Sequence, residues 1–412
     1  MENLDGALRS EFPLTKNTSV KLADVIVFVM ITVFALFARA ALFGYVSGDY
    51  TNFLEKWFRS LQEAGGLPGL GLSLGDYTPP YILIMSLLTY FPMSSLISIK
   101  LVSCVFDFVL AFAAMGVVYH HFKKTETALA AYGIVLFLPT VLLNSAFWAQ
   151  CDGIFTSFLL LCVYYFLKDR PFAGTLCFAV AFTFKLQAIF LAPLLVFLWL
   201  KGRMKFRYFF LIPGVYLVSI LPAWMMGRSL RELLTIYLNQ SGQYSRICLN
   251  APNLYYFINE DTGKALSTAA IFLCGTAVAG ALYLLFIKKY PLTDRILINA
   301  ALFFALLLPY LLPHMHERYF YVADVLAVVY AFYRPKRFYV PVMVVFSSMA
   351  GYLPFLFGHT PIDLGFAALV MLAALLIVAC DLFRPVLTGN ESIPEAVPAV
   401  SAQKKSGISS DS

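Results

Sequence analysis

Residues 172–200, FAGTLCFAVAFTFKLQAIFLAPLLVFLWL, form a long apolar run with a single charged residue, Lys185, near its middle. The run could be one long membrane helix or two short helices that turn at Lys185. Basic clusters lie on both flanks, KDR at 168–170 and KGRMKFR at 201–207. Because Lys and Arg collect in cytoplasmic loops, one helix would place the two clusters on opposite sides of the membrane against this tendency. We therefore predict two helices with a turn at Lys185.

The whole chain has the composition of a membrane protein. Of its 412 residues, 60% are hydrophobic and only 13% are charged, far outside the range of soluble domains. The net charge of +7 could suggest a nucleic-acid partner, but cytoplasmic Lys and Arg explain the charge without one. We expect an integral, multi-pass protein whose partner is the lipid bilayer, with no nucleic acid bound.

Other apolar runs are also long enough to form membrane helices of roughly 20 residues. With the first run divided, the runs are 22–44, 96–119, 128–143, 151–167, 172–184, 186–200, 206–226, 266–287, 296–312, 319–333, 340–357 and 364–383. The short basic loops HHFKK, KDR, KGRMKFR, KKYPLTDR and RPKR then share one side. The predicted fold is an all-α polytopic membrane bundle of about 12 transmembrane helices, with both termini cytosolic.

The rest of the domain organisation follows from this topology. Residues 1–21 are predicted to be a cytosolic lead-in, 22–384 the membrane domain, and 385–412 a disordered cytosolic tail. Two long loops, 45–93 and 227–265, face the non-cytosolic side, the first with a short membrane-associated helix around Tyr81–Phe91. A bacterial plasma membrane is the expected location, with the endoplasmic reticulum as the alternative.

The seven cysteines are scattered and none has the CxxC spacing. Neither a zinc site nor a disulfide framework is indicated. Cys151 and Cys248 could share one side of the membrane and pair, but we expect two free thiols.

Polar residues collect at the predicted outer ends of the helices. They are Asp49, Asp76, Tyr77, Trp148, Gln150, Asp152, Lys185, Gln187, Arg246, Asn253, His314, His316, Glu317 and Arg318. Each has a structural explanation when taken alone: a solvated carboxylate or helix cap, an interfacial Trp, a snorkelling Lys, or a Glu317–Arg318 ion pair. Their coincidence on one face indicates a functional site.

The residue types in this group favour a lipid-linked phosphate and a sugar. Lys185, His314, His316 and Arg318 could hold a phosphate through charge-assisted hydrogen bonds. Asp49 or Asp76 could accept a proton from an incoming hydroxyl. Flat faces for a sugar ring could come from the aromatic residues Trp148, Tyr77, Tyr255 and Tyr256. Asp107, inside the second span, is expected to pair within the bundle.

The order of these motifs resembles the GT-C class of membrane glycosyltransferases over about residues 22–335. The motifs are Asp49-Tyr50 followed by Trp57, GDYTPP at 75–80, Lys185-x-Gln187 and His316-Glu317-Arg318. The nearest patterns are the dolichyl-phosphate-glucose-dependent glucosyltransferases of N-glycan assembly and a bacterial group of membrane mannosyltransferases. Thr78 interrupts an Asp-Tyr-Pro-Pro pattern, and Arg318 stands where a His-Glu-Lys motif has Lys.

The resemblance implies a role for each matching residue. Asp49 would be the catalytic base, and Asp76 with Tyr77 would lie near donor and acceptor. His316 to Arg318 and Lys185-x-Gln187 would lie at the donor phosphate. These roles imply transfer of a hexose, mannose or glucose, from a polyprenyl-phosphate-linked sugar to a glycan or glycolipid acceptor on the non-cytosolic face, with inversion.

No Gly-rich nucleotide loop or DxD motif is evident on the cytosolic side, so neither a cofactor nor an obligatory metal is expected. Two other functions remain open. A transporter or flippase of lipid-linked saccharides would also gather charges in a bundle, although transporter sites generally lie near the midplane. A polysaccharide polymerase or ligase that uses a lipid-diphosphate donor would share the outer face and the cations.

Overall fold

The computed structural model describes residues 10–15, 18–75, 77–240 and 246–388. Within these residues, seven helices are long and apolar enough to cross a membrane, or eight if one bent helix pair is a single span. The protein is therefore an all-α polytopic membrane protein. The predicted lead-in contributes a small antiparallel hairpin, β1 (Glu11–Thr15) and β2 (Thr18–Lys21), which the sequence did not predict.

The α-helices of the described residues follow in chain order. They are α1 (Leu22–Leu42), α2 (Glu55–Glu63), α3 (Pro79–Leu88), α4 (Ser95–Phe122), α5 (Thr125–Leu136), α6 (Pro139–Leu142), α7 (Asp152–Leu167), α8 (Pro171–Phe184), α9 (Ala192–Leu200), α10 (Leu211–Met225), α11 (Leu230–Gln240), α12 (Glu260–Ile287), α13 (Asp294–Leu311), α14 (Tyr321–Tyr333), α15 (Tyr339–Phe357) and α16 (Leu364–Thr388). A helix lies within each of the predicted apolar runs. Several of these helices are shorter than a span, including α7, α8 and α14, so the number of crossings stays a prediction.

The predicted break at Lys185 is confirmed. Helix α8 ends at Phe184, and Lys185 has extended backbone angles, φ −155° and ψ 136°. A 3₁₀-helix, Leu186–Leu191, then leads into α9. At the far end of this hairpin, Arg203 pairs with the carboxylate of Asp169. The two flanking basic clusters therefore lie together, because the chain turns back instead of continuing through.

The basic loops meet at one end of the bundle, which we call the basic end. Lys201 donates hydrogen bonds to the carbonyls of Phe286 and Lys288. Arg337 pairs with Asp381, with Nε 2.8 Å from Oδ2. Ion pairs and carbonyl contacts thus tie together loops that are distant in sequence.

Both predicted outer loops are largely folded. The first contains a π-helix, Tyr50–Leu54, then α2, a 3₁₀-helix and α3. Helix α3 (Pro79–Leu88) corresponds to the short helix expected around Tyr81–Phe91. The second loop contains α11, a short strand β3 (Cys248–Leu249) and the 3₁₀-helix Leu254–Phe257.

The predicted boundary between the membrane domain and the C-terminal tail lies before the end of the last helix. Helix α16 continues to Thr388, past the predicted boundary at 385, because Pro385 is accommodated within the helix. The predicted disorder of 389–412 lies outside the described residues.

A buried ion pair positions α1 in the bundle. Arg39 donates from Nε to Asp107 Oδ2 at 2.9 Å, and neither side chain is more than 2% exposed. Arg39 also donates to the carbonyls of Ala35 and Leu136. The expected internal pairing of Asp107 is confirmed, and it is consistent with the high cost of an unpaired charge at this depth. Cys151 and Cys248 are free thiols, as expected.

The opposite end of the bundle, which we call the site end, is fastened by a buried lysine. Lys100, at the start of α4, donates to the carbonyls of Leu42, Phe43 and Tyr45, with the last distance 2.6 Å. These carbonyls lie at and beyond the C-terminus of α1, where helix carbonyls lack intrahelical partners and a cation is favoured. Lys100 thereby fixes the direction in which the first outer loop leaves the bundle.

Candidate functional site

A cavity of about 450 Å³ opens at the site end. Eight of the predicted site residues line it: Asp49, Tyr77, Gln150, Lys185, Gln187, His314, His316 and Arg318. Apolar side chains complete the lining, among them Phe53, Trp57, Phe184, Ile189, Phe190, Ile271, Leu312 and Phe355. The site therefore combines a few polar groups with a largely apolar wall, as is typical of small-molecule pockets.

Asp49 is held by two neutral donors from one short segment. Trp148 Nε1 donates to Asp49 Oδ2 at 3.0 Å, and Gln150 Nε2 donates to the same oxygen at 2.6 Å. Between them, Ala149 adopts a positive φ of 67°, a conformation that L-residues rarely adopt. This backbone turn allows both neighbouring side chains to reach one carboxylate.

Two π-helical turns flank this pairing. Residues Tyr50–Leu54 follow Asp49 directly, and Leu143–Phe147 directly precede Trp148. Such turns are rare and frequently occur at functional sites. Ser47 adds a further tie, because its hydroxyl donates to the carbonyl of Trp148 at 2.7 Å.

Asp152 joins the two cations of the site. Its Oδ1 pairs with Lys185 Nζ, and its Oδ2 lies 3.6 Å from Arg318 Nε. Asn144, the second residue of the π-helix Leu143–Phe147, donates to Oδ2 at 2.9 Å. Asp152 is only 2% exposed, so its carboxylate interacts with these partners instead of with solvent.

The segment HMHERYF (314–320) is held by the second outer loop. Strand β3 pairs in parallel with β4 (Met315–His316). His314, with a φ of 61°, donates from its backbone N–H to the carbonyl of Ile247 at 2.6 Å. Its Nδ1 lies 2.7 Å from the carbonyl oxygen of Arg246, so Nδ1 must carry the proton.

Within this segment, Glu317 and Arg318 form an ion pair whose side chains are 2% and 13% exposed. Arg318 Nη1 donates to Glu317 Oε1 at 2.9 Å, and His316 Nδ1 lies 3.8 Å from Glu317 Oε2. Burial raises the pKa of Glu317, but the nearby imidazole of His316 and the positive charge of Arg318 outweigh it and leave this pKa below its usual value. Arg318 also lies over the Trp148 ring, 5.5 Å from the centroid, within cation–π range.

The cations of the site are already paired with carboxylates. Lys185 and Arg318 carry two positive charges, whereas Asp49, Asp152 and Glu317 carry three negative charges when ionised. The sequence predicted a cationic cluster but did not predict this balance. Within the described residues, no group of three or more His, Cys, Asp or Glu side chains could hold a metal ion.

Trp148 does not offer the flat face that the sequence predicted. Its ring is fully buried and packs against Tyr352 and Phe355, with centroids 5.2 and 4.6 Å away. Its indole N–H donates to Asp49, and its ring contacts Arg318 instead of a sugar. The large ring is buried because α15 covers it, which no local sequence pattern reveals.

Three further candidates are absent from the cavity lining. Asn253 is fully buried and donates to the carbonyls of Pro309 and Leu312, so it supports the loop. Arg246 is 70% exposed and lies 3.9 Å from Glu260. Tyr255, expected as a sugar-binding face, is buried and donates to the carbonyl of Leu311. Asp76 lies outside the described residues.

Sequence reasoning missed Asn144 and the apolar lining of the cavity. Asn144 follows an apolar run and belongs to none of the motifs described above. Only its contact with Asp152 reveals a role. Phe53, Ile189 and Ile271 have no distinguishing signal, because apolar residues fill every span. Trp57 is part of the Asp49-Tyr50 motif described above, but the sequence predicted no role for it.

Comparisons of the sequence with protein-family models and with curated proteins found no match.

Proposed function

We propose that this cavity transfers a hexose from a polyprenyl-phosphate-linked sugar to a hydroxyl group of a glycan or glycolipid acceptor, as a GT-C-type glycosyltransferase. One observation carries the proposal. A carboxylate oriented by neutral donors, Asp49, lines the same cavity as Lys185, His314, His316 and Arg318. A base and a phosphate-binding group are the two functions that such a transfer requires.

In the proposed reaction, Asp49 accepts the proton of the acceptor hydroxyl. The acceptor oxygen then forms a bond to the anomeric carbon while the bond from that carbon to the phosphate oxygen breaks. The electron pair leaves with polyprenyl phosphate, whose charge Lys185, His316 and Arg318 stabilise. A single displacement inverts the anomeric configuration. No cofactor or metal ion takes part in this scheme.

The pairing of the cations refines this scheme. Asp152 and Glu317 hold Lys185 and Arg318 in place before substrate binds, which lowers the entropic cost of organising the phosphate site. Arg318 lines the cavity with its side chain 13% exposed, so part of its guanidinium group can contact a phosphate there. The charge balance favours a donor with few negative charges, such as a phosphodiester, over a diphosphate.

The first test is turnover by the purified full chain, reconstituted with polyprenyl-phosphate sugars and a panel of acceptors. Asp49→Asn should preserve folding, because an amide oxygen still accepts from Trp148 and Gln150. It should lower transfer by about 10²–10⁴-fold, the usual contribution of a general base. Near-normal transfer by this variant would contradict the assignment of Asp49.

The same assay separates the other candidate functions. Turnover with lipid-diphosphate donors alone would identify a polymerase or ligase. Movement of a lipid-linked saccharide across the bilayer without release of polyprenyl phosphate would identify a transporter or flippase.

A further inference from the structure

Trp57 lines the cavity on the same segment as Asp49. Asp49, Phe53 and Trp57 are spaced four residues apart, so a helical backbone places them on one face, and all three line the cavity. The ring centroids of Phe53 and Trp57 are 6.0 Å apart. An aromatic wall therefore continues directly from the candidate base.

The orientation of the Trp57 ring is fixed by its neighbours. Tyr77 packs against it edge-on, with centroids 5.5 Å apart, and Tyr77 is in turn packed on Tyr81 at 4.8 Å. Gly75 approaches the indole so closely that a Cβ at this position would overlap the ring, and its φ is +52°. The indole is thus held in position before any ligand binds.

The same cavity presents polar groups beside this aromatic wall. Gln150, Gln187 and His316 line it together with Trp57, and side chains of these types form hydrogen bonds with hydroxyl groups. A fixed aromatic face and hydrogen-bonding side chains in one cavity suit a molecule that has both C–H faces and hydroxyl groups.

We propose that Trp57 is the stacking platform of a saccharide subsite that holds a pyranose unit of the acceptor. The C–H groups on the face of a pyranose ring are slightly positive, whereas the indole face is negative. The acceptor is favoured over the donor because Trp57 shares its segment with Asp49, which must contact the acceptor hydroxyl. The paired cations belong to the other segments, 185 and 316–318. This inference rests on the proposed function.

Direct binding tests the subsite without turnover. The full chain in nanodiscs is titrated with methyl β-D-glucopyranoside and methyl α-D-mannopyranoside, and saturation-transfer NMR reports which ring protons contact protein. Trp57→Ala should reduce the signal at least fivefold for the pyranoside that binds, and Trp57→Phe should retain part of it. The control is Trp224→Ala, since Trp224 is 50% exposed on α10 and does not line the cavity. Equal signals for wild type and Trp57→Ala, or no saccharide binding by the wild type, would overturn the proposal.

Steady-state kinetics provides the second readout. Trp57→Ala should raise the acceptor KM at least tenfold while the donor KM changes less than twofold. Gly75→Ala should do the same, because it displaces an intact indole. Asp49-dependent turnover with an unchanged acceptor KM in Trp57→Ala would refute the subsite and leave the proposed function standing. Trp57-dependent saccharide binding without turnover on any polyprenyl-phosphate sugar would support the subsite and refute the function.

Discussion

Asp49 and Asp152 belong to one site, yet their partners differ. Asp49 accepts hydrogen bonds from an indole and an amide, which orient the carboxylate without cancelling its charge. Asp152 instead pairs with Lys185 and lies near Arg318. The two carboxylates therefore differ in their partners, because neutral donors hold Asp49 whereas cations surround Asp152.

The contribution of the neutral donors can be measured at Gln150. Gln150→Met keeps the side-chain length but removes the donor to Asp49, so the carboxylate loses one of its two restraints. We expect transfer to fall by about one to two orders of magnitude, since a hydrogen bond to a charged group contributes roughly 1.5–3 kcal/mol. The matched control is Ala149→Gly, which tolerates the positive φ and keeps both donors, and it should retain activity. Activity of Gln150→Met within twofold of wild type would contradict this role.

Acid should weaken the fold partly through Glu317. The pKa of this carboxyl in the folded protein lies below its usual value of 4.5, so ionisation favours folding. The linked stabilisation is complete above pH 4.5 and is lost as the pH falls through the lower, folded pKa.

Thermal unfolding of wild type and Glu317→Gln at pH 7 and pH 4 checks this linkage. The variant should be less stable at pH 7 by about 3 kcal/mol, because Arg318 loses a buried partner. The difference between the two proteins should narrow at pH 4. A constant difference across this range would show that Glu317 does not titrate as proposed.

At the scale of elements, α15 and the segment HMHERYF approach each other at a glycine. A Cβ on Gly351 would lie 2.7 Å from the carbonyl oxygen of Asn250 and 3.3 Å from Glu317 Cβ. Since Asn250 continues the β3 segment that pairs with β4, this close approach packs both Asn250 and Glu317 against α15.

Gly351→Ala should therefore shift this segment and destabilise the protein by about 1–3 kcal/mol, the usual cost of overpacking. Transfer should decline with it, because Arg318 moves. Gly280→Ala on α12 is the control, since no atom lies within 4 Å of its Cβ position. Comparable melting temperatures for the two variants would argue against a tight contact at Gly351.

For the molecule as a whole, the hairpin at Lys185 determines which residues lie at the basic end and which lie at the site end. The turn returns the chain to the basic end, where Asp169 and Arg203 pair. Lys185 itself reaches Asp152 at the site end. Two short helices joined at Lys185 thus place a cation at the cavity.

Cysteine labelling tests this arrangement. In a Cys380→Ala background, which removes an exposed thiol, Asp169→Cys and Arg203→Cys should react with an impermeant maleimide from the same side of the membrane. Arg246→Cys, at a residue 70% exposed in the second outer loop, should react from the other side. Labelling of positions 169 and 203 from opposite sides would contradict the turn.

Much of the fold could be predicted because membrane burial is recorded in local composition. Long apolar runs become helices since every backbone group must be satisfied within lipid, and each predicted run does contain a helix. Lys185 and its flanking basic clusters also revealed the hairpin. Helix lengths and the end of α16 could not be predicted, because a proline such as Pro385 ends a helix in some contexts and lies within it in others.

The sequence by itself determined the membrane class, the helical runs, the turn at Lys185 and most of the polar residues that line the cavity. Tertiary structure alone decided which of them meet. Trp148 and Gln150 reach Asp49 across 99 and 101 residues of chain, and Asp152 reaches Lys185 across 33. Sequence patterns record each residue's preference for lipid or water, whereas a hydrogen-bond partner distant in sequence depends on how the helices pack.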